Sequence, residues 1–244
     1  MASVNYRIHP LYVARIFADI GTFNYLNFSG EKRWFPIYVW LIEGGGKKIL
    51  VDVGCDAEEM KKASAVGAPY ENITSIEDAL KKFDLSPSAV ETLVLTHLHA
   101  DHALNLRKFV NARIYIQEEE LRFARTPHPI YAPLFPKGRF DGIRFTTVSG
   151  DTPLVDGVDL WLTPGHSAGT QSVAVRTARG RAVICGACSL PENFSPPDPA
   201  QQVIAPGIHV DLVKAYDSLV RVKREADILL PLHDSAFINE AVIG

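Results

Sequence analysis

The sequence predicts an α/β fold. Strand-like and helix-like segments alternate along the 244 residues, which is the pattern of sheets covered by helices. At this length, and with 47% hydrophobic residues, the chain can bury a substantial core. No internal repeat, low-complexity tract or flexible linker interrupts the alternation. We therefore expect residues 1–244 to form one domain.

The strands are predicted from short apolar runs bounded by turn signals. Residues 36–43 and 48–53 flank a run of three glycines, which is typical of a hairpin. The other runs are short and apolar enough to be buried strands. They are expected at residues 92–96, 113–116, 143–148, 158–163, 172–176, 182–185 and 228–230.

The helices are predicted from apolar residues that recur on one face. Residues 75–83 begin with a capping serine and carry such a face, and residues 211–225 carry the clearest apolar stripe. Residues 103–110 and 117–125 also look helical.

Two long segments fit neither pattern. Residues 126–142 contain four prolines, and residues 191–210 contain five. Loops this long in a compact domain are often lids or binding loops, although a plain surface excursion is the alternative. We expect these two to lie over a binding site.

Composition and charge exclude several classes of protein. The 25 basic and 28 acidic residues give a net charge of -3 and no basic footprint for nucleic acid or an anionic membrane. The chain starts without a signal-peptide pattern and has no apolar run of the roughly 20 residues that span a bilayer. Three cysteines are too few for a disulfide framework. These features favour a reducing compartment, the cytoplasm.

A cluster of metal-ligand residues follows the strand predicted at residues 92–96. His97 and His99 alternate along an extended backbone and face the same side, and Asp101 and His102 follow where a helix is expected to begin. Imidazole nitrogen and carboxylate oxygen are ligands that Zn²⁺ takes. A set of exposed or capping polar residues is the alternative, but four such side chains within six residues favour a metal site.

This cluster and three other motifs resemble the metallo-β-lactamase superfamily. Residues 97–102 (HLHADH) match its HxHxDH motif, and residues 163–170 (TPGHSAGT) match its T-P-G-H block. Residues 52–54 (DVG) match its Asp-x-Gly, and residues 231–234 (PLHD) match its terminal histidine. The resemblance covers nearly the whole chain and implies a four-layer αββα sandwich.

The resemblance also implies a ligand set for two metal ions. His97, His99 and His166 would hold the first ion, and Asp101, His102 and His233 would hold the second. Zn²⁺ is the expected metal, with Mn²⁺ or Fe²⁺ as alternatives. Asp52 would orient a ligand histidine, as outer-shell partners of metal ligands do.

One departure from the superfamily concerns the carboxylate that normally bridges the two metals. The matching stretch reads Gly186-Ala187-Cys188 and contains no aspartate. The true metallo-β-lactamases carry Gly-Gly-Cys there, with the cysteine on the second metal. We therefore expect Cys188 to be a metal ligand, since a thiolate suits zinc. A small buried residue is the alternative, and Cys185 is expected in the core.

Within the superfamily, the N-terminal half looks most like the N-acyl-homoserine lactonase branch. The similarity lies in an aromatic loop, Pro36 and the strand end at residues 41–43. It implies a hydrolase that uses a metal-bound hydroxide, with Asp101 as the catalytic carboxylate, to open a lactone or related cyclic ester or amide. Two departures leave the ring unnamed: Cys188-Ser189-Leu190 stands where that branch has a tyrosine, and Ala103 where it has glycine.

Three other functions remain open. A thioesterase of glyoxalase type would need basic residues for glutathione, and those near the C-terminus look like a solvated helix face. A β-lactamase-like amidase would share the cysteine. A non-catalytic metal-binding module would explain the missing bridging aspartate, although intact ligands argue against it. The expected partner is a small molecule, and a homodimer is left open.

Overall fold

The structure of the protein, a computed structural model, describes residues 4–63, 67–135 and 138–244. Residues 136 and 137, in the first proline-rich loop, and residues 1–3, at the start examined for a leader, lie outside the described part. Within that part, no helix is long and apolar enough to cross a bilayer.

The larger sheet contains seven strands. Its members, in chain order, are β1 (Arg7–Asp19), β2 (Lys32–Gly44), β3 (Lys47–Val51), β4 (Tyr70–Asn72), β5 (Thr92–Val94), β6 (Arg113–Gln117) and β7 (Phe145–Val148). They lie side by side in the order β4-β1-β2-β3-β5-β6-β7. The first half of this sheet is antiparallel, whereas β3, β5, β6 and β7 run parallel.

The smaller sheet contains five strands. They are β8 (Thr152–Val155), β9 (Val158–Leu162), β10 (Gln171–Thr177), β11 (Gly180–Cys185) and β12 (Ile228–Pro231). Their spatial order is β12-β11-β10-β9-β8. Only β11 and β12 pair in parallel, and the other pairs are antiparallel.

Helices cover the outer faces of both sheets. They are α1 (Ala57–Ala63), α2 (Ile76–Lys81), α3 (Ala100–Ala103), α4 (Glu118–Arg125) and α5 (Leu212–Glu225). Ile76, Leu80 and Leu121 belong to a buried cluster with the outer face of the larger sheet, and Leu219 and Val222 of α5 pack on the smaller one.

The two sheets meet face to face in a core of their own. Trp40, Val94, Leu160 and Ile184 are each fully buried there, and they come from strands of both sheets. Helix, sheet, sheet and helix therefore form four layers. The αββα sandwich implied by the resemblance is confirmed.

The sequence analysis placed the short buried strands well but missed β1, β4, β8 and α1. Strand β1 contains Pro10 and has an irregular register between Tyr12 and Ala14, so its burial does not alternate cleanly. The predicted helix at residues 103–110 is wrong. The α-helical turn starts earlier, at Ala100, and tightens into a 3-10 helix over Leu104–Lys108. Asn105 contacts the backbone of Val53 and Gly54, which holds this segment against the end of β3.

Strand directions bring five chain segments to one edge of the sandwich. In the larger sheet β3 and β5 are parallel, so their C-terminal ends lie at the same edge. In the smaller sheet β9, β11 and β12 share one direction, because β10 is antiparallel to both β9 and β11. The segments that follow these five strands carry every residue singled out as a metal ligand.

Candidate metal centre

The first ligand group joins the two sheets at this edge. His97 and His99 follow β5, and His166 follows β9. Their ligand atoms lie within 4.8 Å of one another. Nε2 of His97 lies 3.3 Å from Nε2 of His166, and none of the three rings is more than 6% exposed.

The second group lies beside the first and is built in the same way. Asp101 and His102 come from α3 in the segment that follows β5, and His233 follows β12. Their ligand atoms also lie within 4.8 Å of one another. Oδ2 of Asp101 is 3.3 Å from Nε2 of His102. The rings of His97 and His102 are 4.4 Å apart between centroids, so the two groups are adjacent.

In three of these histidine rings, Nδ1 is hydrogen-bonded to an oxygen atom. Nδ1 of His166 donates to the carbonyl oxygen of Ile208 over 2.7 Å, and Nδ1 of His233 donates to that of Pro36 over 2.9 Å. Nδ1 of His102 donates to Oδ2 of Asp52 over 2.9 Å. Since these oxygens only accept, each Nδ1 carries the proton. In the neutral rings of His166 and His233, Nε2 is then unprotonated, which is the form that binds a metal.

Asp52 connects the two groups through Thr96. The Thr96 hydroxyl donates to Oδ2 of Asp52 over 2.8 Å, and the Thr96 backbone N–H donates to Oδ1 over 2.8 Å. With its proton directed at Asp52, the hydroxyl accepts from Nδ1 of His97 over 2.9 Å. One fully buried carboxylate therefore orients His102 directly and His97 through one hydroxyl.

Burial and the neighbouring charges set the protonation of these groups. Burial lowers the pKa of His166 and of His233 to about 4 each, so both rings are neutral near pH 7. Burial also opposes a charge on His102, but Asp101 and Asp52 outweigh it and raise its pKa to about 10. His102 in turn holds the pKa of Asp101 below its usual range, against the effect of burial. Asp101 and Asp52 thus favour a positive charge beside them, which a metal ion on His102 would supply in place of the proton.

The donor set fits two divalent metal ions. Nε2 of His233 is buried and has no hydrogen-bond partner among the described residues. Such an atom is costly to bury unless something binds it. Three imidazole nitrogens in one group, and two with a carboxylate in the other, are the ligand types that zinc takes in proteins. The residues present therefore match the ions that the motifs imply.

Cys188 lies at the site but in neither ligand group. Its side chain lines the same cavity as the histidines and is 8% exposed. Burial, with the charge of Asp101, raises the pKa of the thiol well above its usual value. Cys185 is buried in the cluster beneath α5, as expected for a core residue.

A cavity of about 430 Å³ opens over the ligand groups. Of the six residues in the two ligand groups, all except His233 line its floor. Its walls are mostly apolar. The wall residues include Ile16, Phe17, Phe23, Met60, Leu134 and Ile208. Leu134 and Ile208 come from the two proline-rich loops, so both loops border the cavity. His128 and His209 of the same loops do not line it.

Comparison with protein families decides the classification. The model of the metallo-β-lactamase superfamily matches residues 33–233, which include both ligand groups. The chain belongs to the metallo-β-lactamase superfamily. The prediction made from the motifs is confirmed.

Individual relatives point to one branch of the superfamily. The chain is 30% identical over 185 residues to the N-acyl homoserine lactonase AiiB of Rhizobium rhizogenes, which covers 66% of each chain. It is 25% identical over 239 residues to the lactonase AiiA of Bacillus thuringiensis subsp. kurstaki, covering 93% of each.

A crystal structure of a quorum-quenching N-acyl homoserine lactone lactonase superposes with a TM-score of 0.76 at 24% identity. The match covers 98% of this chain and 96% of that one. That structure shows the same fold, and the family match with the curated lactonase relatives confirms the prediction of a lactonase-like metallohydrolase at the level of enzyme class.

The sequence analysis missed the residues that orient the ligands from outside the motifs. The sequence pattern predicts only that Thr96 ends a strand. Backbone carbonyl groups such as those of Pro36 and Ile208 are present in every residue, so the sequence gives no sign of their role. A hydroxyl directly before a ligand histidine was the one available clue.

Proposed function

We propose that the protein is a dinuclear metal-dependent lactonase acting on N-acyl homoserine lactones or closely related acylated lactones. The observation that carries the proposal is the position of the two ligand groups on the floor of an apolar-walled cavity. The curated relatives named above, which are lactonases, support the same reaction.

The proposed metal positions follow from the two ligand groups. His97, His99 and His166 would hold one ion, and Asp101, His102 and His233 the other, with Cys188 added to the second. Zinc is the first candidate because of its preference for imidazole and thiolate ligands. Two such ions supply a water of lowered pKa and polarise the carbonyl of a bound ester.

The chain's own residues would perform the remaining tasks. Asp101 is the acidic side chain on the cavity floor beside the histidines, and its side chain is 22% exposed. Its carboxylate can orient the attacking water, accept a proton and return it to the alcohol that leaves when the ring opens. The apolar walls would hold the acyl substituent and exclude bulk water.

The lining also fits the absence of the tyrosine found in the lactonase branch. Ser189 stands near the matching position, but it is fully buried and its hydroxyl lies near the backbone of Leu232 instead of in the cavity. Among the described residues that line the cavity, Thr22 has the only side-chain hydroxyl. The lactone ring of the substrate would therefore be positioned by the metal centre and by the shape of the cavity walls.

The test is hydrolysis by the zinc-loaded protein, with lactones, a thioester and a chromogenic β-lactam assayed side by side. We expect turnover of acylated lactones, with a lower KM as the acyl chain lengthens toward the capacity of the cavity. His97→Ala and Asp101→Asn should abolish turnover with circular dichroism unchanged, while Asp217→Asn, at an exposed position of α5, should not. No lactone turnover by fully metal-loaded protein would refute the proposal, and faster thioester or β-lactam turnover would replace it.

A further inference from the structure

Glu120 is a buried carboxylate that belongs to none of the metal-binding motifs. It lies in the first turn of α4 and is 0% exposed, whereas its neighbours Glu118 and Glu119 face solvent. A carboxylate of this kind is strongly destabilising unless several donors satisfy it. Its partners therefore show what its position is used for.

The partners of Glu120 come from the two segments that carry the first ligand group. The N–H of Leu98, which lies between His97 and His99, donates to Oε1 over 2.9 Å. The hydroxyl of Ser167, the residue after His166, donates to Oε2 over 2.6 Å. The N–H of Gly169 donates to the same oxygen over 2.9 Å. One side chain thus bonds both segments, at Leu98 and Ser167 directly beside the ligands and at Gly169 three residues after His166.

The backbone is built to bring these segments close to α4. A Cβ atom at Gly169 would lie 2.3 Å from the backbone nitrogen of Glu120, so only glycine allows this approach. Next to this contact, the side chain of Gln117 donates to that of Gln171 over 3.0 Å. Gln171 then donates to the carbonyl of Leu95 over 2.8 Å, which ties the start of β10 to the end of β5.

We propose that Glu120 is a positioning residue that sets the spacing between His97 and His99 on one segment and His166 on the other. This inference rests on the proposed metal centre and concerns its first position. The second position takes no residue from the segment that contains Ser167 and Gly169. Loss of the carboxylate should therefore weaken binding of one ion much more than binding of the other.

The decisive variant is Glu120→Gln, compared with Glu119→Gln on the same helix. Glutamine keeps the size of the side chain but puts an NH₂ group where a carboxylate oxygen now accepts two bonds. Glu119 is 49% exposed, and its one ion pair within the described part of the chain is with Arg122, so its replacement is a matched control. Zinc affinity would be measured by competition with a chromophoric chelator, and the site by the absorption spectrum of the cobalt-substituted protein.

We expect Glu120→Gln to lower the binding affinity for one zinc ion by about 10- to 100-fold. This is the range seen when a residue that hydrogen-bonds to a metal ligand is lost. The other ion should change by less than about threefold, since its ligands keep their partners. The cobalt spectrum should change, and Glu119→Gln should match the wild type in both measurements.

A purely structural role would give a different result. The thermal midpoint of metal-free Glu120→Gln would fall while both zinc affinities stayed at the wild-type value, and this outcome would overturn the proposal. If Glu120→Gln does not fold, Ser167→Ala removes the shortest of the three bonds, together with the contact between the hydroxyls of Ser167 and Thr170, and leaves the bonds from Leu98 and Gly169 in place. It should weaken the same ion, and unchanged affinity would again overturn the proposal.

Failure of the proposed function would look distinct. Wild-type protein that binds two zinc ions but opens no lactone would refute the lactonase reaction and leave the zinc titration of Glu120→Gln valid. Wild-type protein that binds no zinc would refute both.

Discussion

The hydroxyl of Thr96 lies 2.8 Å from Oδ2 of Asp52 and 2.9 Å from Nδ1 of His97. Asp52 has a φ of 60°, a left-handed conformation that aspartate and asparagine tolerate better than most residues. Its carboxylate lies 2.9 Å from Nδ1 of His102 as well. A single side chain at the end of β3 therefore orients one histidine of each ligand group.

Asp52→Asn should weaken both metal positions. The amide fits the same backbone conformation but has a single accepting oxygen, so it cannot accept from both the Thr96 N–H and Nδ1 of His102. We therefore expect each zinc affinity to fall by about 10- to 100-fold. Thr96→Val removes only the connection to His97 and should affect one ion alone. Zinc titration checks both, with Asp156→Asn on the surface as the control. If Asp52→Asn weakened the binding of only one zinc ion, and by the same factor as Thr96→Val, the shared role of Asp52 would be contradicted.

Cys188 provides a second test of the proposed second position. If its thiolate binds the metal, Cys188→Ala should lower the zinc content of the purified protein from close to two ions toward one, because a ligand and its charge are lost. Cys185→Ala is the matched control, since that thiol lies in the core beneath α5. Elemental analysis of metal content measures the effect. Two retained ions with full activity would show that Cys188 is a small cavity-lining residue.

Gly207 should affect the position of His166, because the carbonyl group of the next residue, Ile208, accepts a hydrogen bond from that ring. A Cβ atom at position 207 would lie 2.0 Å from the carbonyl oxygen of Gly21, so Gly207→Ala must displace the loop whose Ile208 carbonyl accepts from His166. We expect zinc binding to weaken by about 10-fold or more. In Gly46→Ala the new Cβ meets nothing within 4 Å, although φ is 73°. That variant should lose about 1–2 kcal/mol of stability and bind zinc normally. Normal zinc binding in both variants would rule out this effect of the loop.

The ion pair between Asp151 and Arg221 should make stability depend on pH. The hydrogen bond from the Arg221 guanidinium is the main reason that the pKa of Asp151 lies below its ordinary value of 3.8. The stabilisation is therefore complete above about pH 4 and is lost as pH falls through the folded-state pKa.

Asp151→Asn should reduce the free energy of unfolding of the metal-free protein by about 0.5–1 kcal/mol at pH 7, as partly exposed ion pairs do. Urea unfolding at pH 7 and pH 3 measures the difference, which should be smaller at pH 3 than at pH 7. Asp156→Asn, at the more exposed pair with Arg176, should have a smaller effect at pH 7. An equal loss for Asp151→Asn at both pH values would mean that charge is not the cause.

The sequence predicted the parts of the fold and site that depend on local pattern. Short apolar runs bounded by turn signals, such as the one at Ile228–Pro231, are typical of buried strands. The spacing of His97, His99 and Asp101 already places their side chains at one strand end. The structure then brings these residues into two groups with His166 and His233, which motif resemblance alone had associated.

The parts that the sequence did not predict depend on partners distant in the chain. Strand β1 is held by its pairing with β2 across a register irregularity, not by clean alternation. Glu120 is one of three consecutive acids at the start of a predicted helix, yet it lies on the same face as the buried Leu121 and Ala124. Its partners are 22 to 49 residues away along the chain. An acid within an apolar helical stripe was the only local signal.

Each ligand group takes residues from both sheets: His97 and His99 follow β5, whereas His166 follows β9, and His233 follows β12. A fragment that ends before β8 contains no complete group, and neither does the remainder. A bound ion at either position would therefore link the two sheets along this edge. Loading with zinc should raise the thermal midpoint of unfolding of the whole sandwich, because the ion binds the folded arrangement and neither half alone.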